Sequence, residues 1–269
     1  MSVIPEAEAR VKPEERRERI VDLVREHKKV SVDELAERLG TSKETIRRDL
    51  TVLSEEGRIR KLHGSAVMPE WRDEGAFDVR LTEAATEKRR VGERAAQLFN
   101  RGDALFVDTG TTTLCFAQAL AQRSGLTVIT NSVLIAEALT RNSSDNKVFM
   151  LGGEYRSESR QNVGSLTHEQ IARFNAAHAV LTVGAIAPQG IMDYSLEEVE
   201  VARVMVQRAR QVTVIADASK MAREALFLVC PLNGIHRLVV DKPPPSDLAK
   251  ALSDAGVTVI VADGQTVDP

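Results

Sequence analysis

The chain has 269 residues, with 36 Lys and Arg against 39 Asp and Glu, so its formal net charge is −3. Hydrophobic residues make up 43% and charged residues 28%, which is typical of an ordinary globular protein, and the length favours two domains. The near-neutral total excludes a strongly basic nucleic-acid coat but leaves a local basic patch open. Two cysteines, Cys115 and Cys230, are too few for a disulfide framework or a zinc cluster, so we expect an intracellular, cytoplasmic protein.

Neither a secretory leader nor a membrane span is expected. The first ten residues contain no basic apolar leader. The longest charge-free window, 174–192, is interrupted by glycine, proline and amide side chains, whereas a span needs about 20 mostly apolar residues.

Three helices are predicted near the N-terminus. The first begins at Pro13. The second lies in 31–40, SVDELAERLG, where a capping box opens the helix and the final glycine ends it. Thr41 and Glu44 repeat the box, so a third helix over 42–56 is expected to start almost at once.

A basic segment follows these helices. Residues 58–68, RIRKLHGSAVM, alternate around Gly64 and predict a two-stranded wing. Two capped helices joined by a tight turn, with a wing after them, predict a winged helix-turn-helix over 1–68. We expect a linker over 69–85 and a larger domain over 86–269.

The third helix is predicted to present a polar face to double-stranded DNA. Ile46, Leu50 and Leu53 form its buried stripe, so the opposite side chains point outward. Arginine can read a guanine edge and threonine a thymine methyl in the major groove, while a basic wing contacts phosphates. The predicted DNA-binding residues are Ser42, Lys43, Thr45, Arg47, Arg48, Thr51, Arg58, Arg60, Lys61 and His63. The alternatives are a solvated helix without function and a protein-docking module, which operator footprinting distinguishes from DNA binding.

From about residue 84, helices alternate with short apolar strands, which favours a mainly parallel α/β sheet covered on both faces. The predicted strands are 104–108, 126–130, 147–151, 179–183, 212–216, 225–229, 237–241 and 257–262. The predicted helices are 84–100, 113–123, 132–141, 165–174, 196–210 and 246–255.

Polar clusters follow several of these strands. The run 108–113, DTGTTT, places one glycine and four threonines at a helix start, where free amides and the helix dipole favour an anion. Further clusters are 130–132, Gly152-Gly153 and 217–220. Ligands of open parallel sheets bind outside the carboxyl ends of the strands, so we expect a small anionic ligand there. The alternative is that these residues only cap helices and form turns.

No cofactor or metal is expected. The sequence contains neither a P-loop nor a dinucleotide-binding glycine fingerprint, and its five histidines are dispersed. Cys115 lies beside apolar residues in a predicted helix and is expected to fill the core.

The run SVDELAERLGTSKETIRRDLTVLSEEGRIRKLHGSAV strongly resembles the N-terminal domain of DeoR-type bacterial transcriptional regulators. The family's T-I-R-R-D-L lies at 45–50, and His63-Gly64-Ser65 replaces its H-G-G. Downstream, DTGTTT, ITNS, GG, VGS and ADASK follow the family's order and spacing. The stretch 192–220 looks most like the glycerol-3-phosphate regulon repressor branch, where Asp193 and Glu198 match.

The resemblance implies a C-terminal domain similar to ribose-phosphate isomerase folds. It also implies a small phosphorylated sugar or polyol effector that controls operator binding, usually by relieving repression. Glu198 is a candidate through the resemblance alone. Together with the polar strand ends, the predicted effector residues are Asp108, Gly110, Thr111, Thr112, Thr113, Asn131, Ser132, Gly152, Gly153, Glu198 and Lys220.

The sequence therefore predicts a transcription factor that acts as a repressor, and not an enzyme. It is expected to be a homo-oligomer, because reading two half-sites multiplies affinity. The alternative is a sugar-phosphate isomerase-like enzyme with a fused DNA-binding head, in which Asp108, Glu198, Asp217 and Lys220 move a proton. An isomerase assay on purified protein distinguishes the two.

Overall fold

The chain forms two compact units, Met1–Arg72 and Asp73–Pro269. The structure, a computed structural model, describes residues 13–27, 29–55, 58–62, 64–67, 77–141, 145–263 and 266–267. Within these residues, no helix is long and apolar enough to cross a lipid bilayer.

The N-terminal unit is a winged helix-turn-helix, as predicted. Its elements are α1 (Pro13–His27), β1 (Lys29–Ser31), α2 (Val32–Arg38), α3 (Lys43–Glu55), β2 (Arg60–Leu62) and β3 (Ser65–Val67). The strands pair antiparallel in the order β1-β3-β2, so the wing has one strand more than the sequence predicts. Strand β1 has only three residues between two helices, too few for a visible alternation.

Side-chain caps start the two turn helices. Ser31 Oγ accepts the amide of the residue three positions later at 3.1 Å and opens α2, and Gly40, with φ +58°, follows that helix. The cap of α3 is Ser42, whose Oγ accepts the Thr45 amide at 3.1 Å. The prediction of a second box at Thr41 was therefore wrong by one residue, because the helix begins at Lys43.

An apolar stripe and a buried carboxylate fix α3 against α1. Ile46, Leu50 and Leu53 are fully buried, as predicted. Asp49, 3% exposed, accepts the Nε of Arg16 at 2.6 Å and the Nε of a neighbouring arginine, Arg17, at 3.2 Å. Because a buried charge is costly unless it is paired, this triad favours one orientation of α3 and of its outer face.

The C-terminal unit alternates helices and strands along the chain. Its elements are α4 (Phe77–Thr82), α5 (Ala85–Ala96), β4 (Ala104–Val107), α6 (Thr111–Leu120), β5 (Thr127–Thr130), α7 (Val133–Thr140), β6 (Lys147–Met150), β7 (Glu154–Arg156), β8 (Gln161–Val163), α8 (Ser165–Ile171), β9 (Ala176–Leu181), β10 (Ala185–Ala187), β11 (Gly190–Asp193), α9 (Leu196–Arg208), β12 (Ala209–Ala216), β13 (Phe227–Cys230), β14 (Arg237–Val240), α10 (Ser246–Asp254), β15 (Thr258–Val261) and β16 (Thr266–Val267).

The main sheet has the strand order β16-β15-β14-β12-β9-β4-β5-β6, and only β16 runs antiparallel. Two separate apolar clusters cover its faces. The predicted mainly parallel α/β fold is therefore confirmed. Because β4, β5, β6, β9 and β12 are parallel, their carboxyl ends lie at the same edge.

Three short features differ from the sequence prediction. Strand β13, predicted as one of the α/β series, pairs with β11 in a separate antiparallel sheet. The hairpins β7–β8 and β10–β11 were not predicted, because their strands have only three or four residues. Residues 77–82, assigned to the linker from sequence, form α4, whose Phe77 is 2% exposed and packs into this unit.

Candidate functional site

The outer face of α3 carries exposed arginines. The Arg48 side chain is 79% exposed and its Nε lies 3.5 Å from Glu44; Arg47 is also exposed and lies 3.8 Å from the same carboxylate. Lys43 pairs with Asp33 of α2 at 2.9 Å. Exposed pairs of this kind contribute little, so these cations are available to a nucleic acid at small cost.

The wing is attached to α3 by a lysine and a threonine. Thr51 Oγ1 donates to the Arg47 carbonyl at 2.8 Å and accepts from Lys61 Nζ at 3.0 Å. At the helix start, the hydroxyls of Ser42 and Thr45 lie 2.8 Å apart. These bonds place the polar groups of β2 and α3 side by side on one surface.

Three further predicted DNA-binding residues, Arg58, Arg60 and His63, are not shown on this surface. Arg58 donates to Glu18 of α1 at 2.6 Å and is half-buried against that helix. Arg60 lies in β2, and its side chain is outside the described residues, as is the whole of His63. The sequence pattern gave no sign of the Glu18 contact, because the two residues are 40 positions apart.

In the C-terminal unit, the ends of β4 and β5 are joined by hydrogen bonds. Asp108 directly follows β4 and accepts the Thr109 amide at 2.8 Å. The Thr109 hydroxyl donates to Asn131, which follows β5, at 3.5 Å. The ends of β4 and β5 therefore lie together, as the sequence predicts.

The threonine run forms the first turn of α6. Thr111, Thr112 and Thr113 are all buried, and the Thr113 hydroxyl donates to the Gly110 carbonyl at 3.1 Å. A Cβ on Gly110 would lie 2.1 Å from Thr182 Cγ2, so only glycine allows this close approach to the end of β9. The helix begins two residues earlier than predicted, which brings the whole run into it.

The Gly152-Gly153 pair after β6 packs against α8. The Gly152 carbonyl accepts a hydrogen bond from the Thr167 hydroxyl at 2.8 Å. The Gly152 amide donates to the side-chain oxygen of Gln170 at 3.0 Å. A Cβ on Gly153, where φ is +155°, would lie 2.1 Å from Thr167 Oγ1. The close backbone approach at this pair is therefore made by a threonine, and the role of the pair toward a ligand stays a prediction.

The turn after β12 carries Lys220. It is a short 3-10 turn, Ala218–Lys220, in which Asp217 accepts the Ser219 amide at 2.9 Å and Asp241 accepts the Ala218 amide at 2.7 Å. Both aspartates are buried, so the backbone that carries the half-buried Lys220 is firmly held.

A buried glutamine connects two of the predicted effector residues. Gln161, 1% exposed, accepts the Asn131 side-chain amide at 2.9 Å and donates to the Glu198 carboxylate at 2.6 Å. Its amide also donates to Ser159 at 2.9 Å. The sequence did not identify Gln161; the only signal was a polar residue two positions before the VGS motif.

A cavity of about 880 Å³ opens beside this network. Among the predicted effector residues, Glu198 lines it. The lining is formed by Phe77, Arg80, Tyr155, Arg156, Ser157, Glu158, Ser159, Gln161, Val163, Asp193, Tyr194, Ser195, Glu197 and Glu198. The Arg156 guanidinium donates to both oxygens of Glu197, which holds the β7–β8 hairpin against α9.

The electrostatics of this edge depend on Asp108. Burial raises the pKa of Asp108 well above its ordinary value; the Thr109 amide opposes the rise, and the carboxylates of Glu198 and Asp193 add to it. A carboxyl group with a raised pKa keeps its proton over a wider pH range and can donate a hydrogen bond. Among the described residues, no group of three His, Cys, Asp or Glu side chains is arranged to hold a metal ion.

Two family models match the chain. Residues 16–72 match the DeoR-like helix-turn-helix domain, and residues 83–242 match the DeoR C terminal sensor domain. The chain belongs to the DeoR family. It is a DNA-binding transcriptional regulator with a sensor domain, and the resemblance noted from its motifs is confirmed.

Relatives span nearly the whole chain. The glycerol-3-phosphate regulon repressor of Escherichia coli (strain K12) is 30% identical over 91% of this chain and 97% of the relative. The transcriptional repressor GlcR of Bacillus subtilis (strain 168) is 31% identical over 93% of this chain and 96% of the relative. Both are named repressors, and their similar identities do not single out one branch. The structure of ribose 5-phosphate isomerase A from Methanocaldococcus jannaschii aligns with a TM-score of 0.39 and 14% identity over 52% of this chain and 56% of that one.

Replacing Gln161 with leucine tests the buried network. Leucine fills similar space but cannot form the hydrogen bonds to Asn131 and Glu198. The side-chain amide of Asn131 and the carboxylate of Glu198 then each lose one hydrogen-bond partner. We expect Gln161→Leu to lower the free energy of unfolding by about 1–3 kcal/mol in urea titrations. The control is Gln122→Leu, at an exposed glutamine. A loss equal to that of the control would contradict the structural role.

Asp108 predicts a pH dependence of stability. The pKa of Asp108 is higher in the folded state than in the unfolded state. The contribution of Asp108 to the free energy of unfolding is therefore highest below the pKa of the unfolded state and falls as pH rises through the pKa of the folded state. Asparagine keeps the oxygen that accepts the Thr109 amide but carries no charge. We expect Asp108→Asn to unfold at a higher temperature than the wild type at pH 7, and the difference to disappear toward about pH 4. A rise in unfolding temperature that does not depend on pH, or that equals the rise in the exposed control Asp145→Asn, would contradict the raised pKa of Asp108 as its cause.

Proposed function

We propose that this chain is a repressor whose operator binding is controlled by a small phosphorylated sugar or polyol bound at the carboxyl edge of the main sheet. The observation that carries the proposal is the network from Asp108 through Thr109, Asn131 and Gln161 to Glu198, beside the cavity and the start of α6. Such a combination of a helix start and hydroxyl-binding groups suits a ligand with one anionic and one hydroxylated end.

The phosphate of the effector binds at Gly110–Thr113, where the first amides and the positive end of the α6 dipole favour an anion. Lys220, carried by the rigid turn after β12, supplies the compensating charge. Carboxylates repel a phosphate, so Asp108 and Glu198 bind the hydroxyl groups at the other end of the ligand.

The reading surface is formed by α3 and the wing. Arg47 and Arg48 reach base edges in the major groove, with the smaller polar side chains of α3 beside them, and Lys61 contacts a phosphate. Arg58 is the weakest member of the predicted set, because its guanidinium already binds Glu18.

Two copies of the chain bind one operator. A single winged head covers a short half-site, and linking two heads raises the effective concentration of the second. Sedimentation velocity of the purified protein, with and without operator DNA, tests this association.

A thermal-shift screen tests the effector class. The probes are sn-glycerol 3-phosphate, D-glucose 6-phosphate and D-fructose 6-phosphate, with inorganic phosphate, glycerol and glucose as controls. A ligand present at about 100 times its dissociation constant stabilises the folded state by about 2.7 kcal/mol. Stabilisation by none of the phosphorylated probes would contradict the proposed class.

Arg48→Ala tests the reading surface. If Arg48 binds a base edge, its loss lowers specific operator affinity by about 1–3 kcal/mol and affinity for unrelated DNA much less. Gel-shift titrations at two salt concentrations measure both, and Arg19→Ala, an exposed arginine paired within α1, is the control. Unchanged operator affinity removes Arg48 from the surface.

Lys220→Ala tests the phosphate position. Loss of a charge-assisted bond lowers affinity for the bound phosphorylated probe by about 1.5–3 kcal/mol, measured by isothermal titration. The control is Lys250→Ala, which removes an exposed lysine of α10 paired with Asp254. If the Lys220→Ala variant binds the probe as tightly as the wild type, Lys220 does not contact the phosphate.

A further inference from the structure

Helix α4 forms one wall of the cavity. Phe77 and Arg80 both line it, and the Arg80 guanidinium carbon lies 5.6 Å from the centre of the Phe77 ring. Phe77 is almost fully buried, so it is a fixed support for that guanidinium. A ligand in the cavity therefore faces a cationic group that neither the strand ends nor the motifs reveal.

Besides the burial of Phe77, polar contacts attach helix α4 to the rest of the unit. Asp78 accepts from Arg160 at 2.9 Å, and the buried Lys88 of α5 donates to the Arg80 carbonyl at 2.7 Å. Arg160 has φ +55°, an uncommon conformation for a residue with a side chain. It directly precedes Gln161, which binds Glu198. The wall formed by α4 and the network of the proposed effector edge are thus joined at neighbouring residues of one hairpin.

The charges of the cavity suggest what Arg80 binds. Arg156, the other arginine of the lining, donates to Glu197 and to Glu154. Four lining residues are acidic, namely Glu158, Asp193, Glu197 and Glu198. Hydroxyl hydrogens can donate to these carboxylates, while the oxygens of the same hydroxyl or carbonyl groups accept from the guanidinium. This pattern fits the sugar or polyol end of the ligand.

The position of α4 in the chain suggests how these contacts could affect DNA binding. Nine residues, 68–76, separate β3 of the wing from the start of α4. Helix α4 is therefore the first described element that the chain forms after the DNA-reading unit. A ligand changes an equilibrium only through contacts that differ between the two states, and a contact with α4 can supply such a difference.

We propose that α4 is the sensing wall of the effector site: Arg80 binds the hydroxylated end of the effector, and the Asp78–Arg160 pair transmits this binding to the DNA-reading unit. The inference rests on the proposed function, because it concerns the same effector.

The coupling step is tested in the full chain with Asp78→Asn, using sn-glycerol 3-phosphate and D-glucose 6-phosphate as probes. An exposed ion pair contributes little to stability, so probe affinity and operator affinity without probe stay within about fivefold of the wild type. The change in operator affinity caused by the probe falls toward none. The matched control is Asp145→Asn, since Asp145 pairs with Arg101 at 3.0 Å and is 74% exposed, against 70% for Asp78.

The binding step is tested with Arg80→Gln, which weakens probe binding by about tenfold or more, and with Arg80→Lys, which restores part of it. Wild-type probe affinity in Arg80→Gln overturns the contact. An undiminished probe effect on operator affinity in Asp78→Asn overturns the coupling, as does loss of probe binding in that variant. Failure of both probes to bind the wild type contradicts the proposed effector class itself, which is a different outcome from either of these.

Discussion

The arrangement of the proposed effector edge depends on one buried amide. Gln161 is enclosed, so both its oxygen and its nitrogen need hydrogen bonds. Asn131 donates to the oxygen, and Glu198 and Ser159 accept from the nitrogen. Gln161, Asn131 and Glu198 belong to different parts of the chain, so the sheet, the β7–β8 hairpin and α9 take up one relative position when these bonds form. The hairpin in turn supplies one side of the cavity and, through Arg160, the contact with α4.

The N-terminal unit follows the same physical rule. Asp49 is buried and paired with two arginines of α1, while Arg47 and Arg48, its neighbours in the chain, are exposed. A single helical turn thus carries both a buried carboxylate that fixes the helix and exposed cations that pair weakly with Glu44. In both units a buried polar group determines where exposed polar groups point, and it does so through geometry rather than through a large net contribution to stability.

The sequence predicts the elements whose signals are local. Capped helices and apolar parallel strands were found because their capping and burial patterns lie within a few residues. The end of β4 and the end of β5 were expected to meet because parallel strands share an edge, and Asp108 and Asn131 lie close together there. The β7–β8 hairpin and α4 were missed because they are too short to show a local pattern. Tertiary contacts, such as the Gln161 bonds and the burial of Phe77, stabilise them instead. Arg80 carries no motif, and only the fold reveals that it lines the cavity.

The acidic lining of the cavity favours the hydroxylated end of the proposed phosphorylated ligand over its phosphate. A phosphate beside Glu198 and Asp193 would meet like charges, whereas a hydroxylated chain finds acceptors there and a donor in Arg80. Burial and these same carboxylates raise the pKa of Asp108. In the proposed arrangement, the charges of the protein separate the two ends of the ligand, and the hydroxylated end contacts α4.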